Sequence, residues 1–184
     1  MTTSEQLRLA PIPASIDNVE EWEGIARQIA AEAGVPTALT PEVIAAMIGS
    51  AVVLLFEADD TKDMSLLRGT FADPVIAQRQ TNAGCLQGAQ PTSAVLDLVG
   101  VHMADDHPQL RVRVVIQVHG VDGSASVMSQ FWDLALGAEV TVGQASCPNC
   151  GAPIARGELI CEHCRADVRM VVKVPLVVSR LELY

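Results

Sequence analysis

Two Cys-x-x-Cys turns, Cys147-Pro148-Asn149-Cys150 and Cys161-Glu162-His163-Cys164, stand ten residues apart and constrain this chain more than any other stretch. Such spacing lets two hairpin knuckles close four thiolates into a tetrahedron around one ion, the all-cysteine pattern of structural zinc. We expect Cys147, Cys150, Cys161 and Cys164 to be the ligands and zinc to be the metal. Iron is the alternative, because closed four-sulfur sites accept either ion. A metal bound by four thiolates keeps no open coordination position, so it staples a fold or presents a surface and does not activate water.

The chain has 184 residues, enough for one main domain with a sizeable core and a small appendage. Its hydrophobic fraction is 49% with only 3% aromatics, so the core is built from Val, Leu, Ile, Ala and Met. The formal charge of -10 repels phosphate backbones. In the cysteine module Arg156 and Arg165 are set against Glu158, Glu162 and Asp167, leaving no basic footprint, so nucleic acid is excluded as a partner. Residues 1–13 show no basic cluster followed by an apolar stretch, which predicts no secretory signal, a cytoplasmic location and reduced thiols. The longest apolar run, 43–56, is short of the roughly 20 residues of a bilayer span. Anionic lipids attract basic segments, so any peripheral membrane contact by this chain would be hydrophobic.

In chain order, residues 1–15 read as a flexible, proline-punctuated arm and 16–40 as an amphipathic helix. Asp17 and Glu20 form a capping box, and Val19, Trp22, Ile25, Ala26, Ile29 and Ala30 fall on one stripe that Gly34 and Pro36 end. Thr40 and Pro41 supply the N-cap and first position of a second helix. Through Phe56 that helix has almost no polar face, which demands burial by an oligomer partner or by a sheet wrapped around it. The interface expected from these two helices comprises Trp22, Ile25, Ile29, Val43, Met47, Ile48, Val52 and Leu55. A turn at Asp59 precedes two short helical pieces, the second over 75–85, and Cys85 reads as an ordinary buried thiol. From Ser93 the hydrophobic period drops to two, predicting strands over 93–103, 110–119 and 124–136 in an antiparallel meander. Residues 139–142 lead into the cysteine module and 170–183 lead out as a last strand, with the zinc ribbon, 145–169, inserted before it. The fold class is therefore α+β, with helices packed on a curved antiparallel sheet.

Helices followed by a curled antiparallel sheet resemble the nuclear-transport-factor-two-like cone. Phe56-Glu57-Ala58-Asp59-Asp60, Leu66-Leu67-Arg68 and Asp73-Pro74 are similar to the helix pair of the Tim-like domain, shared by bacterial proteins and the mitochondrial inner-membrane import-motor scaffold. Cys147-Pro148-Asn149-Cys150-Gly151-Ala152-Pro153 resembles the ribbon that several bacterial members carry before their last strand, and 178–182 resembles the closing strand. The resemblance covers 41–184. Two departures stand out: no arginine follows Phe131-Trp132-Asp133-Leu134, and the second knuckle ends in Arg165 where a glycine is common. The resemblance implies scaffolding and protein contact, and no reaction.

Other chemistry is thinner. His102, Asp105, Asp106 and His107 gather where a strand must turn before Pro108, and turns collect such residues without a ligand. Asp97, interrupting an apolar strand, is the best candidate acid or base for a pocket inside the cone, but no second group pairs with it. These readings converge on a non-catalytic scaffold or adaptor subunit that binds itself or a larger protein complex. The alternatives are a small-ligand carrier or enzyme using the cone pocket, and a rubredoxin-like iron electron-transfer subunit of a redox complex.

Overall fold

The computed structural model describes residues 12–17, 20, 22, 24, 25, 40–104, 107–174 and 176–183, without the side chains of 107, 108 and 183. Two-residue alternation produces the sheet. In β3 (His107–His119), Leu110, Val112, Val114 and Ile116 are fully buried while the residues between them face away from the core. β3 pairs antiparallel with β2 (Gln90–Ala104) on one side and β4 (Ala125–Leu136) on the other. β4 in turn pairs antiparallel with β7 (Leu176–Leu183).

One strand escapes the sequence reading. Ala14–Ile16 form β1, parallel to Ala94–Leu96 of β2, where the end of a flexible arm and the first residue of the amphipathic helix were expected. The sheet is therefore mixed, in the order β1-β2-β3-β4-β7. The parallel β1–β2 pair is bonded by Ala94 N–H to the Pro13 carbonyl and Asp17 N–H to the Leu96 carbonyl, both at 3.0 Å. The expected last strand also divides. Arg169–Lys173 (β6) pairs with Glu139–Gly143 (β5) in a separate two-stranded ribbon, and only Leu176 onward rejoins the main sheet.

Helix α1 (Pro41–Thr61) starts as its capping signal predicts: the Thr40 hydroxyl accepts the Val43 N–H at 3.4 Å, and Pro41 occupies the first turn. It does not end near Phe56, because Ala58 and Asp59 are also fully buried. Asp59 pairs with Arg79 of α2 (Asp73–Thr81) at 2.5 Å, and its other oxygen accepts the Leu86 N–H at 2.6 Å. Those bonds hold a carboxylate that would otherwise favour a turn. α2 is shorter than the expected 75–85, ending at Thr81.

The apolar length of α1 is spent inside the molecule. Ile44, Ile48, Val52 and Leu55 are fully buried in one cluster with Leu96, Val112, Val114, Trp132 and Leu134 of the sheet. A wrapped sheet, and not a partner chain, covers this helix face. At 21 residues α1 is long and apolar enough to cross a membrane, but most of it is core. Beyond the acidic Glu42 of its first turn, its solvent side up to Phe56 is a narrow stripe of Val43, Ala46 and Ser50, small or weakly apolar residues that left almost no polar face to detect. Gly49 is where β1 crosses, since a Cβ there would lie 2.8 Å from the Ile12 carbonyl oxygen.

Candidate metal centre

The four cysteines sit beyond the end of the β5–β6 stem, in two knuckles of one design. In the first, Gly151 N–H donates to the Cys147 carbonyl at 2.9 Å and Cys147 N–H donates to the Ala152 carbonyl at 2.8 Å. The second repeats both bonds: Arg165 N–H to the Cys161 carbonyl at 2.8 Å, and Cys161 N–H to the Ala166 carbonyl at 2.9 Å. Each knuckle is closed by one antiparallel bridge, Ser146 with Pro153 and Ile160 with Asp167. Gly151 and Arg165 occupy equivalent positions with φ of 72° and 61°, so the arginine takes the left-handed conformation that a glycine would adopt freely. The second knuckle therefore forms without its glycine.

This repetition brings four sulfur atoms together. All lie within 4.8 Å of one another, with Cys147 and Cys164 at 3.5 Å and Cys150 and Cys161 at 3.7 Å. A tetrahedron with metal–sulfur bonds of about 2.3 Å has sulfur–sulfur edges of about 3.8 Å, so the cluster fits one ion. The donors fit as well, because the Ala152 and Ala166 amides reach the Cys150 and Cys164 sulfurs, the support a thiolate ligand takes from its surroundings. Cys147 and Cys161 are buried, Cys164 is half-buried and Cys150 exposed, placing the site at the surface of its module.

Without a metal, these thiols share protons unequally. Cys164 is pulled down to about 6, first by the Asn149 side chain and then by the Ala166 amide. Cys150 is pushed up to about 12: the Ala152 amide pulls it down, but the Cys164, Cys161 and Cys147 sulfurs and burial together outweigh that pull. A bound metal ion would resolve the contest by displacing the shared protons.

The module leans back on the main domain. Arg68 donates to the Gly157 carbonyl, and a Cβ on Gly157 would collide with the Ser65 carbonyl of the short 3-10 helix Met64–Leu67. A Cβ on Gly143 would likewise run into the Glu158 carbonyl, so two glycines permit the close packing around 157–158. Nearby, Asp167 is held down to about 2, first by the Arg169 guanidinium and then by its backbone N–H. No family model, curated protein or solved structure matches this chain.

The remaining expected site residues are dispersed. Trp22, Ile48, Val52 and Leu55 are fully buried, Ile25 and Met47 are partly buried, and Val43 is 43% exposed. Ile29 lies outside the described residues, as do Asp105 and Asp106. His102 stands 3.8 Å from Asp133 of β4, while the backbone of His107 pairs with Ala104 at the start of β3. Asp97 points away from the core and receives hydrogen bonds from the Arg113 guanidinium, the Nε one at 2.9 Å, so it faces no apolar cavity. A groove of about 520 Å³ lies between β1 and the start of α1, with Glu42 the only ionisable group among its described lining. Cys85 is exposed, not buried, and its sulfur lies 3.3 Å from the Arg79 guanidinium. Neither the Asp59–Arg79 pair nor the Arg79 contact with Cys85 has a local sequence signal, because each depends on how separate segments pack.

Proposed function

We propose that this chain is a non-catalytic scaffold or adaptor subunit of the cytoplasm whose four cysteines hold one structural zinc. The carrying observation is the convergence of four sulfurs, and no other donor among the described residues, at tetrahedral spacing. Such a set supplies folding energy to a module too small for its own core and leaves no coordination position for a substrate. Around it, Ile160, Met170 and Val171 are 40%, 42% and 65% exposed, apolar side chains open to protein contact. The resemblance of 41–184 to Tim-like domains supports the same reading, with the ribbon as an insertion in a cone-like domain.

Native mass spectrometry of the protein purified gently from its own host tests this. One zinc per chain with stoichiometric protein companions supports the adaptor reading, and Ile160→Asp with Val171→Asp should release the companions while retaining zinc. A lone chain carrying a small-molecule adduct sinks it in favour of a ligand carrier. Visible thiolate-to-iron absorption would replace zinc with iron and adaptor with electron carrier.

A further inference from the structure

Arg79 is 1% exposed, yet most of its hydrogen-bonding capacity is unused. Its Nη2 serves Asp59 at 2.5 Å and the Cys85 sulfur at 3.3 Å, while Nε and Nη1 have no hydrogen-bond partner among the described residues. Asp59 does not meet that need, because its second oxygen accepts the Leu86 N–H. Buried guanidinium donors are best satisfied by an anionic oxygen, whereas a thiol sulfur is a weak acceptor. The sulfur beside this fork belongs to an exposed residue, so a small reagent reaches it from solvent. The turn after α2 holds it in place. Gly84, with φ of 91°, reverses the chain just before Cys85; the Leu86 N–H fastens to Asp59 just after it, and the Gly88 N–H donates to Asp60 at 3.0 Å. Thiol and guanidinium are thereby pinned against the end of α1.

We propose that Cys85 is a site of reversible oxidation by hydroperoxides, with Arg79 receiving the oxygen that oxidation places on sulfur. The thiolate sulfur attacks one peroxide oxygen: an S–O bond forms, the O–O bond breaks, and two electrons pass from sulfur to peroxide. The second oxygen leaves as hydroxide or alkoxide and takes up the proton that the thiol released. Thiol and hydroperoxide thus become sulfenic acid and water or an alcohol. The new oxygen stands one bond out from a sulfur already touching the fork, and as a sulfenate it accepts charge-assisted hydrogen bonds from it. The same donors stabilise the charge that develops while the O–O bond breaks. Return to the thiol takes two small external thiols, the first displacing water to form a mixed disulfide and the second reducing it. The other four of the chain's five cysteines are gathered in the metal cluster, so Cys85 has no partner thiol set aside for it, and its sulfenic acid persists until an external thiol arrives.

The protein as purified, treated with stoichiometric hydrogen peroxide in the presence of dimedone, should carry the sulfenic-acid adduct on Cys85 by peptide mass mapping, with its metal content unchanged. The comparison is Val121→Cys in a Cys85→Ser background, at a turn position that is 86% exposed. Cys85 should label at least about tenfold faster, the effect of one charge-assisted hydrogen bond on a barrier. Arg79→Lys keeps a cation for Asp59 but removes the fork, and should bring the Cys85 rate down to that of the comparison. Asp59→Leu with Arg79→Leu should do the same. Equal rates at Cys85 and in Val121→Cys, a Cys85 rate that the Arg79 changes leave untouched, or labelling that falls first on Cys147, Cys150, Cys161 or Cys164, overturns the proposal. Should neither Arg79 variant fold, the comparison with Val121→Cys decides alone.

Discussion

At Arg165 the second knuckle adopts a backbone conformation that costs an L-residue about 1–2 kcal/mol. Gly151 meets the same requirement without that cost but loses more freedom on folding, roughly 0.5–1 kcal/mol. Arg165→Gly should therefore raise the denaturation midpoint of the zinc-loaded protein by the equivalent of up to about 1 kcal/mol, and Gly151→Ala should lower it by a similar amount. A loss of stability in Arg165→Gly would mean that the guanidinium makes a compensating contact. The four-cysteine cluster was legible because its spacing is local: each pair shares one turn, and the two turns repeat. Asp97 was misjudged because strand parity alone could not show which cross-strand neighbour it meets, and that neighbour is Arg113. Cys85 was misjudged because its exposure depends on the turn that follows α2.

Elements were legible wherever a start signal or a period was written into adjacent residues. Thr40 and Pro41 fixed the beginning of α1, and alternating Leu110, Val112, Val114 and Ile116 fixed the face of β3. The end of α1 was not legible, because Asp59 reads as a turn former until Arg79 and the Leu86 amide are brought to it. β1 was hidden for a similar reason, being three residues long and stabilised by the edge of a distant strand. The buried pair makes a sharp test. Arg79→Leu strands a carboxylate and should cost about 3–5 kcal/mol in chemical denaturation, whereas Asp59→Leu with Arg79→Leu should cost distinctly less than either single change. Equal, additive losses would show that packing, and not charge, sets the cost. Ile48→Glu would bury an unpaired charge against the sheet, so the expected result is a protein that fails to fold, not one that fails to assemble.

On the scale of the whole molecule, the metal module and the main domain share a boundary at Gly157, Ser65 and Arg68, and Phe71 carries that boundary into the core by packing edge-on against Trp132. Removing the metal with a chelator should speed amide hydrogen exchange over 144–168 and, through this contact, over 63–69, while β3 and β4 keep their protection. Uniform loss of protection would mean that the module and the sheet unfold as one unit. The strand order has a consequence in time as well. β2, β3 and β4 are neighbours in the chain and in space, so they can pair as successive hairpins. β7 reaches β4 only after 137–175 has closed on itself, and that closure carries an entropy that grows with the length of free chain. Four cysteines gathered around an ion would shorten the free chain before β7 arrives. Stopped-flow refolding should then show a final phase that zinc accelerates and that Cys147→Ser makes insensitive to zinc. The ion would thus act as a pacemaker for the last strand, setting how long the flank of β4 waits unpaired.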